Sequence, residues 1–128
     1  MRKILFLLIT ITTSIVSCSK DSDNETSSSI TPPSWIQGTW LGLDGNVGYS
    51  FASDDFCQIV GSTNNCHKGH INSGAITNVT QEISDSAYVL NLVYNNSTTF
   101  SFRFKKVSDT QIESLNAAGN TDLVLTKK

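Results

Sequence analysis

Phe100-Ser101-Phe102-Arg103-Phe104-Lys105 alternates aromatic and polar residues without a break. A helix would spread those three rings around its circumference. A strand puts all of them on one face, because successive side chains point to opposite sides. The same period of two returns in Val47, Tyr49 and Phe51, with Gly48 and Ser50 between them. It returns again in Tyr88, Leu90, Leu92 and Tyr94, set against Val89, Asn91 and Val93, and Leu123 and Leu125 flank Val124. Turn-forming residues separate the runs: Asp44-Gly45-Asn46, Ser53-Asp54-Asp55, Asp85-Ser86, Asn95-Asn96, Ser108-Asp109 and Gly119-Asn120. The spacing predicts about eight strands, at 38–43, 47–52, 56–60, 75–84, 87–94, 98–107, 110–115 and 121–126. Neither a helix nor an internal repeat is expected.

Short connections imply that neighbours in sequence pair antiparallel. About eight strands joined this way close most simply into a small up-and-down β-barrel, which removes the reactive edges of an open sheet. A β-sandwich is the alternative all-β fold. An eight-stranded interior is just wide enough for side chains or one small ligand. Tyr49, Phe51, Tyr88, Tyr94, Phe100, Phe102 and Phe104 supply bulk to fill it, so a packed or nearly packed barrel is expected rather than a deep cavity. The length of 128 residues holds one domain. A formal net charge of −2 leaves no basic surface to track phosphates, which excludes nucleic acid as a partner.

The first residues carry an address. Arg2 and Lys3 precede the apolar run Ile4-Leu5-Phe6-Leu7-Leu8-Ile9-Thr10-Ile11, too short for a spanning helix, which takes ~20 apolar residues. A basic head, a short apolar stretch and small residues before a cut site form an export signal. Ile15-Val16-Ser17-Cys18 resembles the lipobox of bacterial lipoproteins. That resemblance implies removal of residues 1–17 and acylation of Cys18, and several acyl chains on one residue anchor a protein stably to a membrane. Loss of Arg2 and Lys3 with the signal takes the formal charge from −2 to −4. The stretch 19–29 contains no apolar residue, so residues 18–33 are expected to be a flexible polar tether leading into a barrel domain over 34–128. Asp21, Asp23 and Glu25 resemble the acidic stretch that follows the lipidated cysteine in exported lipoproteins of the Bacteroidetes type. The implied location is the outer membrane, facing the periplasm or the cell surface.

A second resemblance lies in the domain itself. Trp35-Ile36-Gln37-Gly38-Thr39-Trp40 resembles the Gly-x-Trp signature that opens the first strand of lipocalins and other calycins. Residues 102–112, followed by Leu123-Val124-Leu125-Thr126, look like the tail of the small lipocalin-like domains found on bacterial lipoproteins. The resemblance covers most of residues 34–128. It implies that Trp40 closes the barrel floor and that Gly38 lets the strand pass close beneath it. A full lipocalin is longer and carries a helix after the barrel, for which this sequence shows no counterpart.

With Cys18 assigned to lipid, Cys57 and Cys66 remain. In an oxidising exported compartment they are expected to form a disulfide across the turn-rich segment Gly61-Ser62-Thr63-Asn64-Asn65. Cys57, Cys66, His67 and His70 could instead hold Zn²⁺, but the spacing matches no familiar zinc motif and oxidation competes for the thiolates. The histidines are then exposed loop residues. Residues 61–74 form the longest stretch without strand character, and pinned loops on rigid β scaffolds are where binding concentrates. Asn64, Asn65, His67, Lys68 and His70 are therefore the candidate binding loop, and Trp35, Tyr88 and Tyr94 the candidate barrel mouth.

Nothing points to catalysis or to a cofactor. Asp44, Asp54, Asp55, Asp85, Asp109 and Asp122 are scattered across turns, and no nucleophile elbow, phosphate-cradling loop or HExxH run is present. Asp85-Ser86-Ala87 resembles a three-residue O-glycosylation acceptor of Bacteroidetes-type exported proteins, although a turn explains the same residues. Two functions stay open: a module that binds another envelope or extracellular protein, such as an inhibitor, immunity or accessory subunit, and a lipocalin-like carrier of a small apolar molecule or glycan.

Overall fold

The structure is a computed structural model and describes residues 24–128. The export signal, Cys18 and the start of the tether lie outside the described residues. The elements run β1 (Asn24–Ser27), a 3₁₀ turn (Ser34–Ile36), β2 (Gly38–Leu41), β3 (Val47–Phe51), β4 (Phe56–Val60), β5 (Thr63–Cys66), α1 (Lys68–Asn72), β6 (Ile76–Ile83), β7 (Ala87–Tyr94), β8 (Thr98–Lys106), β9 (Gln111–Leu115) and β10 (Thr121–Lys127). All eight expected strands form. They join β1 and β5 in a single antiparallel sheet ordered β1-β6-β7-β8-β9-β10-β2-β3-β4-β5.

The sheet is rolled on itself. Phe56 of β4 and Phe102 of β8 are separated in the sheet by β3, β2, β10 and β9, yet their ring centroids lie 4.8 Å apart. Five strand spacings in a flat sheet would put them about 24 Å apart. The architecture is thus an incomplete up-and-down barrel and not a sandwich. The first and last expected strands meet, with Leu41 opposite Thr126 and Trp40 opposite Lys127. The two edges left unpaired are β1 and β5, and the connection from β5 to β6 carries α1.

Two expectations need correction. Residues 61–74 are not free of regular structure: β5 pairs with β4, and α1 follows. The physical cause is the Cys57–Cys66 bridge, which joins directly opposed residues of the two strands and so holds a segment of weak strand formers in register. The expected tether is also shorter than residues 18–33. Asn24–Ser27 pairs with β6, and Ile30 is completely buried in the core. A lone isoleucine beside a polar run gains nothing from local sequence, but it gains a full apolar site once the chain lies along β6. As the turn reading of Asp85-Ser86-Ala87 expects, these residues sit in a tight exposed turn in which Ser84 Oγ accepts the amides of Ser86 (3.3 Å) and Ala87 (2.9 Å).

One end of the barrel is sealed. Trp40 is fully buried, and its Nε1 donates to Ile36 O at 2.6 Å. The Lys127 ammonium covers its ring, 5.2 Å from the centroid, in a cation–π contact. Gly38 has φ +124°, and a Cβ there would stand 3.0 Å from Lys127 Cε. Gly48 is required by proximity alone, since a Cβ would fall 2.1 Å from the carbonyl oxygen of Trp40. Above Trp40, Phe51 and Phe104 meet edge to face at 5.0 Å, and Phe51 and Tyr88 at 6.2 Å.

Beside them Gln81 is buried and fully used. Its Oε1 accepts from Thr31 N (2.8 Å) and Tyr88 Oη (2.8 Å), while Nε2 donates to Ser29 O and Thr31 Oγ1, both at 3.2 Å. This glutamine fastens the segment carrying Ile30 to the barrel wall.

Candidate functional site

At the other end of β7 the packing gives way to a cavity of about 530 Å³. One wall comes from β4, β5 and α1 through Gln58, Asn65, His67 and His70. The facing wall comes from β7 and β8 through Tyr94, Thr98, Phe100 and Phe102. Period two explains the second wall. Thr98, Phe100, Phe102 and Phe104 share the inward face of β8, and burial rises from half-exposed Phe100 at the rim to Phe104 in the core.

The first wall is built by the disulfide and by Asp55. Cys57 and Cys66 hold β4 against β5, with Cα atoms 4.0 Å apart. Asp55 Oδ1 accepts the amides of Phe56 and Lys68, both at 2.8 Å, which ties the start of β4 to the start of α1. Lys68 pairs with Asp54 from the same turn, and that hydrogen bond raises the ammonium pKa above its ordinary range. These ties turn His67 inward. Its ring stacks on Phe56 with centroids 5.3 Å apart and planes 12° apart.

His67 is only 3% exposed, so the expectation of an exposed loop histidine is wrong. Its Nδ1 lies 2.8 Å from Tyr94 Oη across the cavity. Its Nε2 is the one buried side-chain nitrogen or oxygen without a hydrogen-bond partner among the described residues. Burial holds the imidazole below its ordinary value of 6.5, His70 pushes the same way, and Asp55 opposes them. His67 is therefore a neutral imidazole at physiological pH. Burial also raises the Tyr94 phenol, which keeps its proton and its capacity to donate. His70 lies further out, with Nε2 3.4 Å from Asn65 Oδ1 and its ring centroid 5.9 Å from that of Tyr94.

The expected binding loop thus divides. Asn65, His67 and His70 line the cavity. Asn64 points away with Ile59, its neighbour across β4 and β5, and Lys68 is engaged by Asp54. The expected mouth divides as well. Tyr94 is at the cavity; Tyr88 is fully buried and bonded to Gln81; Trp35 donates to Ser84 O (2.9 Å) at the opposite end of β7. Strand direction is the reason: six residues along a strand amount to about 20 Å, which places Tyr88 and Tyr94 at different levels of the barrel. The alternative zinc set fails on chemistry, since Cys57 and Cys66 are joined at 2.03 Å and offer no thiolate. The cluster of Asp55 with the same two cysteines fails likewise.

Gln58 and Thr98 were missed from the sequence. Each sits at an inward position of an alternating strand where an apolar residue would be the default, and that mismatch is the signal that finds them. Comparison with protein-family models, curated proteins and solved structures gives no match. The functional reading therefore rests on the chemistry of the cavity.

Proposed function

We propose that this chain is a lipid-anchored, non-catalytic binding protein of the cell envelope that holds a small ligand, an apolar molecule or a glycan, in the cavity at the Tyr94 end of its barrel. The observation that carries the reading is His67: a deeply buried imidazole on the wall of a 530 Å³ cavity, with Nε2 unpaired and a half-exposed Phe100 opposite. Buried polar groups are almost always paired, and an orphan in a native fold calls for an explanation such as a bound partner. The volume falls within the range of small-molecule sites, and apolar walls with a few convergent polar groups are their usual composition. The sealed Trp40 end supports the same assignment, since it supplies a rigid base for the cavity at the opposite end.

The anchor rests on the lipobox at Ile15-Val16-Ser17-Cys18. The β1 register sets the direction in which the chain enters the sheet. Asn24 stands opposite Glu82 and Ser27 opposite Val79, so the chain enters β1 from the Trp35 end.

Native mass spectrometry of the full chain, extracted from membranes in mild detergent, tests this reading. A low-mass adduct on the native protein that is missing from Phe100→Ala is the expected result. A bound polypeptide in its place would move the assignment to the partner-protein reading, and an adduct unaffected by Phe100→Ala would remove the cavity from the account.

A further inference from the structure

Resting on the reading of the cavity as a ligand site, we infer that its ligand is a neutral saccharide, with a ring face on Phe100 and a hydroxyl on His67 Nε2. Three features of the cavity point to this class. The first is charge. Among the described residues that line it there is no Asp, Glu, Lys or Arg, and the ammonium of Lys68, which follows His67 in sequence, is held by Asp54. A charged ligand entering such walls would lose hydration without gaining a counter-charge.

The second is the orphan nitrogen. Tyr94 Oη and His67 Nδ1 share one proton between them in either direction, so Nε2 is left as a donor in one tautomer and as an acceptor in the other. A hydroxyl both donates and accepts, and so it satisfies Nε2 in either case. A hydrocarbon ligand satisfies neither and would seal Nε2 in without a partner. Around it stand further groups suited to hydroxyls: the amides of Gln58 and Asn65 and the hydroxyl of Thr98.

The third is the aromatic rim. Phe100 is 50% exposed, and Tyr94 meets it edge to face, with centroids 5.4 Å apart and planes 87° apart. This contact fixes the Phe100 ring while leaving it half open to solvent. The C–H-bearing face of a pyranose is apolar and flat enough to cover such a ring, while its rim of hydroxyls reaches the amides and the imidazole. A polar rim with an apolar face is the property that unites the two halves of this wall.

Saturation-transfer NMR of the full chain in detergent provides the test. The ligands offered are glucose, galactose, mannose, N-acetylglucosamine and their disaccharides, with 1-aminoanthracene as an apolar reference. At least one neutral sugar should receive saturation from the native protein and bind about 2- to 13-fold more weakly to Phe100→Ala, the loss expected for one aromatic contact. His67→Phe, which keeps the stack on Phe56, should weaken the same sugar and leave 1-aminoanthracene unaffected or bound more tightly. Val124→Thr, on an exposed position of β10, should change nothing. Binding of 1-aminoanthracene alone, lost in Phe100→Ala, overturns the saccharide inference and keeps the cavity as a site. Binding of neither overturns both.

Discussion

At the Trp40 end of the barrel the buried polar side chains are paired off: Trp40 Nε1 with Ile36 O, Tyr88 Oη with Gln81, and Gln81 with Ser29 and Thr31. At the Tyr94 end His67 is buried almost as deeply, and only one of its two nitrogens has a partner. Both ends use aromatic rings from the same strands, since β8 contributes Phe104 to one and Phe100 to the other. What differs is closure. Lys127, the 3₁₀ turn and the segment around Ile30 cover the first end, while the second opens on the cavity lined by His67, Tyr94 and Phe100. Under the proposed function, stability and recognition belong to opposite ends of one sheet, and substitutions should separate them.

The largest effect is expected at the sealed end. Trp40→Ala should cost about 3–5 kcal/mol in urea unfolding, the range for deleting a fully buried large aromatic. Ligand binding by whatever folded fraction remains should be unchanged. Reducing the Cys57–Cys66 bridge, which closes a separation of 9 residues, should cost about 2.5–3 kcal/mol by loop entropy. It should also do what Trp40→Ala does not, namely weaken the cavity, because β5 and α1 then lose their register against β4. Equal damage to binding from both changes would erase the proposed division.

Smaller effects sharpen it. Gln81→Leu should cost about 1–3 kcal/mol, because it removes the acceptor of the Thr31 amide and of the Tyr88 hydroxyl. Hydrogen exchange at Thr31 should accelerate while exchange at His67 does not. The His67 imidazole predicts a pH dependence of a definite sign. Its folded pKa lies below 6.5, so the unfolded chain takes up a proton that the native protein refuses. Stability is then fully present above about 6.5, falls as pH drops through that value, and levels off once the folded imidazole also protonates. His67→Phe should flatten that slope. Phe100→Ala, at the rim, should change stability by no more than about 1 kcal/mol, since the ring is already half in water.

Much of the fold could be read from periodicity. The eight strands follow from alternation in Val47–Phe51, Tyr88–Tyr94 and Phe100–Phe104 and from the turns between them, because these are local signals. β1 was not legible, since Asn24-Glu25-Thr26-Ser27 has neither alternation nor apolar content; its pairing depends on β6 being already in place. The five-residue α1 was likewise hidden, because Asp55 and the disulfide position it from outside its own sequence. The site was half legible. Asn65, His67 and His70 were found by their loop, but the burial of His67 required Phe56 and Tyr94, distant in sequence, to close around it. Tyr88 and Trp35 were misplaced because residue type says nothing of height along a barrel.

The central claim is that recognition belongs to the Tyr94 end alone. An amide NMR titration of the full chain with the neutral sugars named above tests it most directly. The account predicts shifts concentrated at Gln58, Asn65, His67, Tyr94 and Phe100, with Trp40, Tyr88 and Gln81 unmoved. Shifts centred on the Trp40 end, or saturating shifts with none at His67, would contradict it.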